Sequence, residues 1–137
     1  MNSILLAGMV VRRGTILLGA FEKIDHKKFF VIIGENKEKL IGFFFINSDI
    51  CRSVRNKPHQ FEMQMPIKRE DYNFLNHTSF VAADKINTIR KDKVASDIVN
   101  GVTKIMGELT EDDLDRLLDV LRNSMLFSKI EKESFFG

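Results

Sequence analysis

His26 stands beside Lys27 and Lys28, and His77 stands in the turn Asn76-His77-Thr78-Ser79 that opens the segment FLNHTSFVAADKINTI, residues 74–89. Two imidazoles brought together can take a proton from one reacting oxygen and give one to another, because histidine exchanges protons near neutral pH. The alternative is two unrelated surface histidines. Ser79 is placed either to donate to a ligand or to cap its own backbone, as loop serines do. Arg52, Arg55 and Lys57 fall within the polar stretch NSDICRSVRNKPH, residues 47–59, which offers almost nothing to bury. A polar loop that long in a small domain is functional or mobile, and its three cations can follow a polyanion backbone. Tyr72, Phe74 and Phe80 read as packing residues rather than as surfaces for stacking bases.

Other chemistries find no support in the spacing. The three histidines, His26, His59 and His77, are far apart and Cys51 is the only cysteine, so no metal-ligand pair is visible. Gly14 and Gly19 frame TILL with no Lys-Ser or Lys-Thr after them, which is not a phosphate loop. There is no nucleophile elbow and no HExxH helix. An enzyme built on this chain is expected to need neither metal nor cofactor.

At 137 residues and 44% hydrophobic, the chain is long enough for one domain with one core. A lone cysteine cannot form an internal disulfide and points to a reducing compartment. The apolar start, Ile4 to Leu6 and Met9 to Val11, is too short to span a bilayer and has no basic segment before it, so no membrane association is expected and the cytoplasm is the expected location. Net charge is only +2, yet residues 1–104 hold 17 Lys and Arg against 11 Asp and Glu, while residues 105–137 hold 4 against 8. A basic body of that kind suits a polyanion, although solvated faces of an ordinary domain carry similar charge.

The elements that must position these residues divide into a β-rich front and a helical back. TILLGAF from Thr15, KFFVII from Lys28 and LIGFFFI from Leu40 are continuous apolar runs separated by polar turns, as expected of strands buried on both faces. Gly42, beside three phenylalanines, suits a bend or bulge. Residues 60–65 alternate, with Phe61, Met63 and Met65 on one side, which predicts a strand ended by Pro66. Val94, Ile98, Val102 and Ile105 have helical spacing and predict a helix over residues 92–106, weakened by Gly101. Thr110 is the expected N-cap of a second helix, whose first turn carries Glu111, Asp112 and Asp113. Leu114, Leu117, Leu118, Leu121 and Met125 form its apolar stripe, for core or for a dimer contact. Phe135 and Phe136 are expected to be covered, since terminal aromatics are a liability in water. The resulting expectation is a single α+β domain over residues 1–137, with a small antiparallel β-barrel over 9–91, helices over 92–127 and a tail over 128–137.

In this order, VVRRGTILLGAF from Val10, KKFFVIIG from Lys27, FFFINSD from Phe43, the FLNHTSFVAADKINTI segment and GELTEDDLDRLLDVL from Gly107 resemble the PemK/MazF toxin family over about residues 9–127. The resemblance implies an SH3-like barrel that forms a homodimer and cleaves single-stranded RNA without metal, the ribose 2′-hydroxyl attacking the adjacent phosphate to leave a cyclic phosphate and a free 5′-hydroxyl. It also implies an antitoxin protein laid across the RNA groove. In the family, an Arg before the second strand and a Thr or Ser after the third supply most of the chemistry. Here those positions fall on Lys27 or Lys28 and on Asn47 with Ser48, while Ser79 matches the loop serine. Lysine lacks the rigid guanidinium fork that holds two phosphate oxygens. This departure leaves room for a non-catalytic relative that binds nucleic acid or a protein, and for a toxin that binds DNA gyrase, as the similar CcdB fold does.

Overall fold

The computed structural model describes residues 3–137. Three strands form an antiparallel meander: β1 (Thr15–Gly19), β2 (Lys28–Glu35) and β3 (Leu40–Asn47). The β2–β3 turn is organised by Asn36, whose side-chain oxygen accepts from the Glu38 and Leu40 backbone N–H groups at 3.0 and 2.9 Å. Such local bonds are why asparagine favours turns. The β2–β3 register slips between Ile32 and Gly34, opposite Gly42, so the bend expected at Gly42 is present as a bulge.

Helices α2 (Arg52–Arg55) and α3 (Pro58–Phe61) follow, then β4 (Gln64–Ile67), β5 (Ser79–Ala82) and β6 (Asn87–Arg90). Helix α4 (Lys91–Val99), strand β7 (Lys104–Glu108) and helix α5 (Glu111–Asn123) complete the order, with α1 (Ser3–Val10) preceding β1 and a short α6 (Lys129–Glu131) near the end. All pairings are antiparallel. The sheet runs β4-β5-β3-β2-β1-β7, with β6 on the same edge of β3 as β5. The path is open: its two end strands, β4 and β7, do not pair with each other. The fold is therefore α+β, built on one seven-stranded antiparallel sheet.

Both faces of the central strands are covered, which explains their unbroken apolar runs. On one face Val94 and Ile98 of α4 pack with Leu17, Phe30, Ile32, Ile41 and Phe43. On the other, Leu117, Leu118 and Leu121 of α5 join Ile16, Val31, Ile33, Phe44, Phe127, Phe135 and Phe136. The apolar stripe of α5 is thus core, except that Met125 lies beyond the helix and is 98% exposed. Phe135 and Phe136 are covered, as expected. Thr110 caps α5, its hydroxyl accepting from the Asp113 N–H at 3.2 Å.

Two expectations fail locally. The helix over residues 92–106 stops at Val99, Gly101 takes φ +76°, and the chain returns to the sheet as β7, where Ile105 is exposed. The helical back therefore contains a strand of the same sheet, and residues 9–91 are not a separate barrel unit. The alternation over residues 60–65 crosses the end of α3, a turn and the start of β4: Phe61 ends α3 and is exposed, while Met63 and Met65 are buried. Pro66 does not end β4 but sits within it, exposed on an edge strand, where proline's missing N–H is tolerated.

Candidate active site

Register brings the N-terminal end of β2, the C-terminal end of β3 and the start of β5 side by side. Phe29 is opposite Ile46, so Lys28 faces Asn47; Asn47 in turn is opposite Phe80. Side-chain alternation then divides the residues between two faces. Phe29, Ile46 and Ser79 share one, while Lys28, Asn47 and Phe80 share the other.

On the first face is a cleft of about 200 Å³, lined by His26, Lys27, Lys28, Ser48, His77 and Ser79, with Phe29, Ile46 and Phe74 among its apolar walls. Both histidines expected to act only if they converged therefore border one cleft, reached from different segments of the chain. His26 Nδ1 lies 3.0 Å from the exposed Asp25 carboxylate, leaving Nε2 as the ring's other end. That hydrogen bond is the main reason the Asp25 carboxyl is held below its usual range. Ser79 is buried, and its hydroxyl donates to the His77 carbonyl at 3.2 Å, so it caps its own turn and holds His77 at the rim. Ser48 and Lys27 are exposed. Among the described residues neither side chain has a hydrogen-bond or ion-pair partner.

On the second face the Lys28 ammonium donates to Asn47 Oδ1 and lies 5.5 Å from the Phe45 ring centroid. Burial pushes the Lys28 pKa below the ordinary lysine value. With Oδ1 turned to Lys28, the Asn47 amide group is left to donate outward. Lys28 rather than Lys27 is the lysine beside Asn47.

The 47–59 stretch is not an open loop but carries two short helical turns. Arg55 closes it internally, donating to Asp49 at 2.6 Å and to the Ile50 carbonyl at 3.1 Å. Arg52 and Lys57 are exposed, and among the described residues neither side chain has a hydrogen-bond or ion-pair partner. No group of three or more His, Cys, Asp or Glu side chains among the described residues is arranged to hold a metal ion. No helix among them is long and apolar enough to cross a membrane.

Tyr72 anchors the segment that carries His77. It is buried, donates to Asp113 at 2.5 Å, accepts from the Thr110 N–H at 3.0 Å, and packs its ring 5.9 Å from Phe74. Tyr72 and Phe74 are packing residues, as read from the sequence. Phe80 is half-buried and belongs to neither core cluster. Asp25 was also missed, and its position next to His26 was the available signal.

No family model matches the chain, and no curated protein sequence does.

Proposed function

We propose that this chain is an endoribonuclease of the toxin type, cleaving single-stranded RNA without a metal and held in check by an antitoxin protein. The observation that carries the reading is the cleft to which His26, His77 and Ser48 all contribute, with the Lys28–Asn47 pair on the opposite face of the same strand ends. Transfer at a ribose-phosphate bond needs three things: a base for the 2′-hydroxyl, an acid for the 5′-oxygen and donors for charge on the phosphate. One imidazole takes the 2′-proton as the O2′–P bond forms. The other protonates O5′ as the P–O5′ bond breaks, giving a cyclic phosphate and a 5′-hydroxyl. Lys27 and Ser48, exposed at the cleft, donate to the oxygens of the reacting phosphate; Lys28 and the Asn47 amide, on the opposite face, hold a neighbouring phosphate of the same strand, and the exposed Arg52 and Lys57 extend the cationic track. The bulge at Gly34 and Gly42 curls the sheet, which supports reading it as a barrel of the SH3-like kind; a homodimer is part of the same reading.

Purified protein incubated with long single-stranded RNA in EDTA should yield fragments with cyclic phosphate and 5′-hydroxyl ends. His26→Ala and His77→Ala should each lower the rate by about a hundredfold or more, the usual contribution of a positioned acid or base, and Lys28→Ala should weaken RNA binding. Intact RNA with folded protein, together with normal growth on expression, would sink the nuclease reading.

A second reading, a non-catalytic relative that binds nucleic acid or a protein partner, is favoured by the lysine in place of a forked guanidinium and by the Ser79 hydroxyl being spent on a carbonyl. RNA retained but uncut selects it.

A further inference from the structure

Phe80 is a large apolar side chain that is partly covered yet lies outside both core clusters. It stands half-buried on β5, directly opposite Asn47, packs into neither core cluster, and meets no other aromatic ring among the described residues. Its other cross-strand neighbour is Pro66 on β4, which is exposed. One row across the sheet therefore reads Pro66, Phe80, Asn47, Lys28. Directly opposed side chains on antiparallel strands stand about 4.5–5.5 Å apart, so the ring lies one strand from the amide and two from the ammonium.

We infer that Phe80, flanked by Pro66, is the stacking platform for one unpaired base next to the phosphate held by Lys28 and Asn47. This rests on the nucleic-acid reading above and makes Phe80 a substrate-positioning contact for it. The chemistry of the row is what selects the ligand: a cation and an amide donor suit a phosphate, and an apolar ring one strand away suits the face of a base attached to the same backbone. A peptide would need an acidic side chain at that spacing to satisfy the half-buried ammonium. Within a duplex the base faces are already stacked on each other, so the platform selects single strands. It also accepts any base, because every base has a π-face.

The test uses single-stranded 2′-fluoro RNA, which has no attacking hydroxyl, carrying 2-aminopurine at successive positions. Stacking on an aromatic ring should quench the fluorescence at one position. Phe80→Leu should lose the quench and weaken binding by about fivefold or more, the low end of what base–aromatic stacking contributes. Phe80→Trp should retain both. Lys28→Ala should weaken binding while keeping the quench at saturation. Phe80 is partly covered, so the fold of each variant is checked by its melting curve; should Phe80→Leu fail to fold, a folded Phe80→Trp that keeps the quench upholds the platform and one that loses it overturns it. Parent-like affinity and quench in Phe80→Leu overturn the platform and leave the ring to a protein contact, with the nuclease reading standing. No binding by the parent protein overturns both.

Discussion

The hydroxyl of Tyr72 ties the loop before β5 to the first turn of α5, and its removal is a quantitative test of that joint. Tyr72→Phe leaves the ring packing in place but deletes the donor to Asp113 Oδ2 at 2.5 Å and the acceptor for the Thr110 N–H at 3.0 Å. Asp113 keeps its ion pair with Arg116 at 2.8 Å, so the carboxylate is not abandoned. A hydrogen bond to a charged group contributes about 1.5–3 kcal/mol, and a loss of about 2 kcal/mol is expected. For a domain of this size that corresponds to a fall in melting temperature of about 6–10 °C.

The same group provides a pH signature. Burial first, and the bond to Asp113 second, push the Tyr72 pKa from 10.0 up to about 12. Between those values the folded protein keeps a proton that the unfolded chain has lost. The stabilisation is therefore complete below pH 10 and is lost as pH rises through the folded value. The gap in stability between parent and Tyr72→Phe should be constant near neutrality and narrow above pH 10. Tyr72 is the only tyrosine and there is no tryptophan, so absorbance of the phenolate reports this one group. A titration midpoint near 10 in the folded protein, or a Tyr72→Phe melting point within a degree of the parent, would refute the buried joint.

Two further perturbations follow from the geometry. A Cβ at Gly34 would stand 2.1 Å from the Phe135 carbonyl oxygen, so Gly34→Ala should displace the segment that buries Phe135 and Phe136, costing about 3 kcal/mol or more and exposing the last ten residues to limited proteolysis; an unchanged cleavage pattern would contradict that packing. Lys28 loses its charge at lower pH than an ordinary lysine, so RNA affinity should begin to fall as pH rises toward 10.5, and Lys28→Arg should remove that fall; binding that follows the same pH curve in both proteins would show that Lys28 does not touch the phosphate.

The three-stranded meander, the Thr110 cap and the buried face of α5 were legible because each rests on a local rule: apolar runs between polar turns, a capping hydroxyl before an acidic first turn, and leucines at helical spacing. What was not legible depends on distant partners. Val102 and Ile105 continue the helical period of Val94 and Ile98, and only the left-handed turn at Gly101 and the vacant edge of β1 turn that stretch into β7. Phe61, Met63 and Met65 alternate in sequence, yet α3 takes the first and the β4 side of the core takes the others. The site shows the same division. Lys28, Asn47, Ser48 and Ser79 could be named from short motifs, whereas the shared cleft of His26 and His77 and the row that sets Phe80 beside Asn47 follow from which strands are neighbours.

Under the proposed nuclease reading, Lys28 and Asn47 together must do what a guanidinium does when it holds two phosphate oxygens. An ammonium has three donors and no fixed plane. At Lys28 one donor is committed to Asn47 Oδ1, and the Phe45 ring beneath restricts where the group can swing. That bond also turns the Asn47 amide so that its N–H groups point away from the lysine. The remaining ammonium donors and the amide donors have no other hydrogen-bond partner among the described residues and stand on adjacent strands, where they can act as a fork assembled from two side chains. Its geometry is set by the β2–β3 ladder rather than by a conjugated plane, so it depends on both residues at once. Losing Asn47 would free the ammonium to rotate, and losing Lys28 would free the amide to flip. The two truncations should therefore be far from additive, which is the behaviour of groups that act as one unit.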